Sequence, residues 1–153
     1  MKLAEIFKPE SIIVSLENTE RDAVFEELVE KIALSHPDFN KEKALAAIRE
    51  RESKMTTGIM SGIAIPHGRI ELSQGVLGAI GISKAGINYG SLDNMPVHVV
   101  FLMVSSPDAS EIHLGVMKKL AQVLMNPEFS KKLQELSSAD AVYSALCSAE
   151  AGI

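Results

Sequence analysis

The residues of this chain best suited to chemistry are its histidines and the cations around them. His67 stands between Pro66 and Gly68, with Arg69 next in line. Proline restrains the backbone just before the ring, and glycine lets a partner or an oxyanion approach closely just after it. A neutral imidazole on so rigid a turn is a competent nucleophile toward phosphorus, and Arg69 supplies a fixed positive charge nearby. The local pattern alone leaves a purely structural turn histidine equally open. His113 falls near the start of a predicted helix at Ser110. A second imidazole there, beside the free amides of a first helical turn, makes an anion cradle; packing beside Val116 and Met117 is the plainer reading. His36, in Ser-His-Pro at a helix end, reads as a surface residue favoured by the helix dipole. His98, inside a strand, reads as a core or edge histidine with one hydrogen bond.

Arg49, Arg51 and Lys54 place cations just ahead of a glycine-rich stretch, and arginine suits forked contacts with phosphate oxygens. A solvated helix face paired with Glu50 and Glu52 is the alternative. Thr56 and Thr57 offer hydroxyls to the same oxygens, or simply cap a loop. Gly58 and Gly62 form no P-loop, because no Gly-Lys-Ser/Thr follows, and no dinucleotide fingerprint. No cluster of carboxylates or cysteines accompanies the histidines, so neither a metal nor a cofactor is expected.

These residues must be held by a framework, and the hydrophobic pattern predicts one. Ser11 to Leu16 reads as a short strand. Thr19 then caps a helix with Asp22 at the capping-box spacing and a stripe of Val24, Phe25, Leu28, Ile32 and Ala33, ended by His36-Pro37. A second helix begins at Asn40 and turns Ala44, Leu45, Ile48 and Ala47 to the core. Thr56 to Arg69, TTGIMSGIAIPHGR, suits a loop, a short strand and a tight turn. Val76 to Ile82 and Val97 to Val104 read as strands, the second central because it is nearly all apolar. Turn chemistry fills Gly86 to Pro96. Helices follow from Ser110, from the Asn126-Pro127 cap, and from Ser137 or Ser138. The predicted fold is α/β: one domain over residues 2–148, with a mixed β-sheet flanked by helices on both faces.

The whole chain sets the outer limits. Its 153 residues suffice for one sizeable core, and hydrophobic residues make up 46%. A formal net charge of −5, with no basic run interleaved with aromatics, argues against nucleic acid as a partner. Cys147 is the only cysteine, so no internal disulfide can form. The N-terminal stretch lacks the apolar core of a signal peptide, and Val97 to Val104 is too short to span a bilayer. A cytoplasmic protein without membrane insertion is expected.

Two segments, Arg51-Glu52-Ser53-Lys54-Met55-Thr56-Thr57-Gly58 and Gly62-Ile63-Ala64-Ile65-Pro66-His67-Gly68, resemble the enzyme IIA domain of the fructose/mannitol type in the bacterial phosphoenolpyruvate-dependent sugar phosphotransferase system. The nitrogen-regulatory proteins belong to the same family. Leu92-Asp93-Asn94-Met95-Pro96-Val97 and His113-Leu114 extend the resemblance over nearly the whole chain. It departs from the common pattern at Met60, where many members have glycine or a small polar residue.

The resemblance implies a phosphocarrier. His67 matches the family's phosphorylated histidine and His113 a second histidine that supports the phosphoryl group. Arg51 matches an arginine close to the site, Thr57 the hydroxyl residue before glycine, and Arg69 a position where lysine or arginine is common. The implied donor is HPr or a paralogous carrier. The implied acceptor is an enzyme IIB partner, reached through an apolar patch to which Ile59 and Met60 contribute. The alternative is a stand-alone nitrogen-type regulator whose phosphorylation state controls binding to other proteins. Two further rivals are a metal-dependent hydrolase built on His67, His113 and a carboxylate, and a silent interaction domain.

Overall fold

The computed structural model describes residues 1–153, with Met60 described by its backbone alone. A six-stranded mixed sheet is built on two long strands, β5 (Val76–Ile87) and β6 (Val97–Ser105), which pair antiparallel. Nearly every residue of β6 is buried, as its apolar run predicts for a central strand. The short strand β1 (Ile12–Ile13) lies parallel to β5 on one side. On the other side of β6, two short strands follow one another along the same edge, both parallel to it. β3 (Ile63–Ala64) pairs with Val99 and Val100, and β4 (His67–Arg69) pairs with Met103, Val104 and Ser105. The stretch predicted as a loop, strand and turn is thus three strands, the remaining one being β2 (Gly58–Met60), which hairpins onto β3. Ser61 and Gly62, both at positive φ, make the two-residue connection, the geometry that matches strand twist.

Helices cover both faces. α2 (Arg21–Ser35) and α3 (Lys41–Lys54) pack Val24, Phe25, Leu28, Ala44 and Ile48 against Ala64, Val100, Leu102 and Val104. On the opposite face α1 (Leu3–Ile6), α4 (Ser110–Leu124), α5 (Pro127–Glu135) and α6 (Ala139–Ala151) enclose a second core around Phe7, Ile80, Phe101 and Met103. Phe7 and Phe101 meet edge to face at 5.4 Å, the favoured geometry for aromatic pairs.

Three helices start at the expected residues, each with a side-chain cap. Asn40 accepts from the Lys43 amide, Asn126 from Glu128, and Ser138 from Ala141. α2 does not. Its N-cap is Glu20 rather than Thr19, without a side-chain bond, and Glu20 bridges to Asn88 instead. β1 is shorter than Ser11 to Leu16: a 3-10 turn takes Ser11, and pairing with β5 ends at Ile13 opposite Gly81. Among the described residues, no helix is long and apolar enough to cross a membrane.

Candidate functional site

His67 opens β4, the strand that runs beside the C-terminal half of β6. Its ring is half-buried, and Nδ1 lies 2.9 Å from the carbonyl oxygen of Ile65. A carbonyl only accepts, so Nδ1 carries the hydrogen and Nε2 holds the lone pair. Burial holds the His67 pKa below the usual histidine value, with the Arg51 and Arg69 charges adding to the shift; the Ile65 carbonyl and Glu52 oppose it. The ring is therefore neutral at pH 7, the state a nucleophile needs.

Gly68 sets what faces that ring. It is buried, and a side chain there would run into the backbone of Ala47 and Ile48. The close approach it permits is that of α3. This contact brings the last turn of α3, with Arg51, beside β4. Arg51 curls over the helix end, donating from one guanidinium nitrogen to the Met55 carbonyl at 3.0 Å.

His113 comes from the first turn of α4, which follows β6 after a short loop. It is 5% exposed, so it is held in place rather than waving at a boundary. Its ring centroid lies 5.3 Å from that of His67, the planes tilted at 59°. Nδ1 of His113 is 2.7 Å from the buried Ser105 hydroxyl at the end of β6. Burial, then the neighbouring His67 and Arg69, lowers the His113 pKa to about 4. Arg69 is exposed and donates to the Ser110 hydroxyl at 2.8 Å, tying β4 to the start of α4.

His67, His113, Arg51 and Arg69 line one open cleft of about 410 Å³ with Ala47, Gly68, Glu50 and Lys54. The walls combine two imidazoles with three cations and one carboxylate, a composition suited to a small multivalent anion. Among the described residues, no group of three or more His, Cys, Asp or Glu is placed to hold a metal ion, so the two histidines find no third ligand.

The other predicted residues lie elsewhere. The Thr57 hydroxyl is buried and points away from the cleft. It donates to Glu52 Oε1 at 2.6 Å and lies 2.7 Å from the Tyr89 hydroxyl, while its amide donates to Glu52 Oε2 at 2.6 Å. Thr56 caps the turn through the Gly58 amide. Arg49 pairs with Glu26 on the helical face at 2.7 Å. His98 binds the Ser83 carbonyl through Nδ1 at 2.8 Å, the single bond expected of it. Ile59 is exposed and borders an apolar groove with Ile63, Ile65, Leu124 and Met125; the Met60 side chain lies outside the described residues.

Sequence reasoning missed Ser105 and Glu52. Neither carries a local signal. Ser105 ends an apolar strand, and Glu52 sits among charges that read as a solvated face, yet it is buried and holds the α3 terminus to the Thr57 turn. Only its neighbour Glu50 fits that reading, 3.9 Å from Lys54 at the surface.

Residues 5–149 match the family model described as the phosphoenolpyruvate-dependent sugar phosphotransferase system, EIIA 2. The chain belongs to this EIIA family. Among the relatives of this EIIA chain is the fructose-specific EIIABC component of Bacillus subtilis, 34% identical over 142 residues, which is 93% of this chain and 22% of that protein. The chain thus spans about a fifth of that relative. The nitrogen regulatory protein of Bradyrhizobium diazoefficiens is 29% identical over 95% of both chains. Among solved structures, the nitrogen regulatory protein IIA-Ntr of Neisseria meningitidis superposes with a TM-score of 0.86 at 26% identity, covering 94% of this chain and 98% of its own. The Escherichia coli complex of enzyme IIA-mannitol with phosphorylated enzyme IIB-mannitol contains a chain of the same fold, with a TM-score of 0.75 at 19% identity, covering 93% of this chain and 97% of that one.

Proposed function

We propose that this EIIA chain carries a phosphoryl group on Nε2 of His67, taking it from phosphorylated HPr or a paralogous carrier and passing it to an EIIB partner. One observation carries the reading: the bond from Nδ1–H to the Ile65 carbonyl leaves the Nε2 lone pair as the reactive one, in a cleft shared with His113, Arg51 and Arg69. The EIIB partner is suggested by the mannitol complex of the same fold.

In the transfer step the Nε2 lone pair attacks phosphorus in line. The Nε2–P bond forms as the P–N bond to the donor imidazole breaks, and that imidazole leaves with the electron pair. Positive charge spreads onto the His67 ring, where the Ile65 carbonyl accepts from Nδ1–H and supports it. Arg51, Arg69 and a hydrogen on His113 face the equatorial oxygens, where charge builds up, so stabilisation is mainly electrostatic. Reversal onto the next acceptor uses the same contacts. Partners dock over the cleft and the apolar groove at Ile59 and Met125. A cytoplasmic location belongs to the same reading and rests on the phosphoryl donor it names.

Incubation with phosphoenolpyruvate, enzyme I and HPr tests this. The expected product is a chain heavier by one acid-labile phosphoryl group, absent from His67→Ala. A regulatory role is the second reading, favoured by the TM-score of 0.86 to IIA-Ntr against 0.71 for the E. coli mannitol IIA structure. Efficient onward transfer to an EIIB domain supports the carrier role; binding of another protein that switches with phosphorylation supports the regulatory one.

A further inference from the structure

We propose that Ser105 is a positioning residue that fixes the tautomer of His113, so that the second imidazole presents Nε2–H, and not a lone pair, to a phosphoryl group on His67. The proposal rests on the phosphocarrier reading above and adds to it a residue that no motif indicates.

The geometry begins with Ser105 itself. It closes β6 and is paired on both sides, opposite Arg69 of β4 and Val76 of β5, and its carbonyl accepts from the Ile70 amide at 3.0 Å. Its position is therefore set by the sheet. The side chain is fully buried, and its hydroxyl lies 2.7 Å from His113 Nδ1, with no other hydrogen-bond partner among the described residues.

The direction of that bond follows from what each alternative leaves unpaired. A neutral imidazole carries one hydrogen, on Nδ1 or on Nε2. Were it on Nδ1, it would donate to the Ser105 oxygen, and the serine hydrogen would be buried without an acceptor. A buried unmet donor is costly. With the hydrogen on Nε2, the serine hydroxyl donates to Nδ1 and both groups are satisfied. The burial that keeps His113 neutral, with a pKa of about 4, makes this choice between tautomers necessary, since a doubly protonated ring would need no partner to set it.

The choice matters for the neighbouring ring, whose centroid is 5.3 Å away. Phosphoryl oxygens only accept. An Nε2–H on His113 attracts them; an Nε2 lone pair repels them. Loss of the Ser105 hydroxyl removes the group that distinguishes the two tautomers.

The test reads the tautomer directly, by long-range 1H–15N correlation of the imidazoles in the unphosphorylated chain. In the wild type, His113 should show the Nε2–H pattern. In Ser105→Ala it should shift toward Nδ1–H, and Ser105→Thr, which keeps the hydroxyl, should restore it. After loading with phosphoenolpyruvate, enzyme I and HPr, Ser105→Ala should pass its phosphoryl group on about tenfold more slowly, the size of effect expected when one hydrogen bond is weakened. An Nδ1–H pattern in the wild type overturns the assignment whatever the variants do, as does an unchanged His113 pattern in a folded Ser105→Ala. Should the wild type show the expected tautomer and accept no phosphoryl group, the carrier reading falls and the serine–histidine assignment stands.

Discussion

Gly68 of β4 lies against the backbone of Ile48 in α3, so close that a β-carbon on the glycine would stand 2.9 Å from the Ile48 nitrogen and 3.0 Å from the Ala47 carbonyl carbon. The obstacle is helix backbone, which cannot rotate aside. Gly68→Ala should therefore push α3 from the sheet and carry Arg51 from His67. We expect a loss of about 1–3 kcal/mol in urea unfolding, typical of overpacking, together with slower phosphoryl acceptance. A variant of unchanged stability and rate would show that α3 yields without cost.

The buried Glu52 carboxylate is predicted to act on stability before it acts on chemistry. It accepts from the Thr57 amide, the Thr57 hydroxyl and, at 3.0 Å, the Tyr89 hydroxyl. Burial, and then the Glu52 charge, raises the Tyr89 pKa, so the phenol stays a donor. Glu52→Ala orphans buried donors at about 1–3 kcal/mol each. Thr57→Val should lower the unfolding midpoint while the folded protein still accepts a phosphoryl group on His67. A Thr57→Val protein of normal stability that accepts nothing would return the Thr57 hydroxyl to the phosphoryl site.

Acceptance should have an acid limb set by His67. Its pKa lies below 6.5 through burial, so the neutral nucleophile persists below the pH at which an exposed histidine protonates. The midpoint of the decline in acceptance rate should therefore lie below pH 6.5. A single-turnover pH profile, with donor loaded beforehand, measures this, and a midpoint above 6.5 contradicts it.

His113 links the same chemistry to stability. Its folded pKa of about 4 lies below the unfolded value near 6.5, so the unfolded chain binds more protons between these limits. Stability is full above the unfolded value and is lost as pH falls from about 6.5 toward 4. Urea midpoints should drop over that window in the wild type and drop less in His113→Gln.

How much of this could be read from the residues alone differs between fold and site. β6 is legible because Val97 to Val104 is apolar but for His98, and the helix starts at Asn40, Asn126 and Ser138 because their capping bonds are local. β5 runs on to Ile87 beyond its apolar run because Ile87 pairs with Val97 across an irregularity, a cross-strand fact. α1 has no signature along the chain because four residues make no period. In the site, His67, His113, Arg51 and Arg69 were each picked out, and the fold brings them to one cleft. Thr57 shares their stretch of sequence but faces Glu52. Ser105 and Glu52 were illegible because their roles lie in contacts between buried side chains, which no spacing along the chain encodes.

Which ring nitrogen carries the phosphoryl group is read by 15N and 31P NMR of the histidine-labelled chain after loading from phosphoenolpyruvate through enzyme I and HPr. One phosphoryl group is expected, on Nε2 of His67, with Nδ1 still protonated against the Ile65 carbonyl. A phosphoryl group on Nδ1 of His67, on His113, or on a chain in which His67 is replaced by alanine would contradict it.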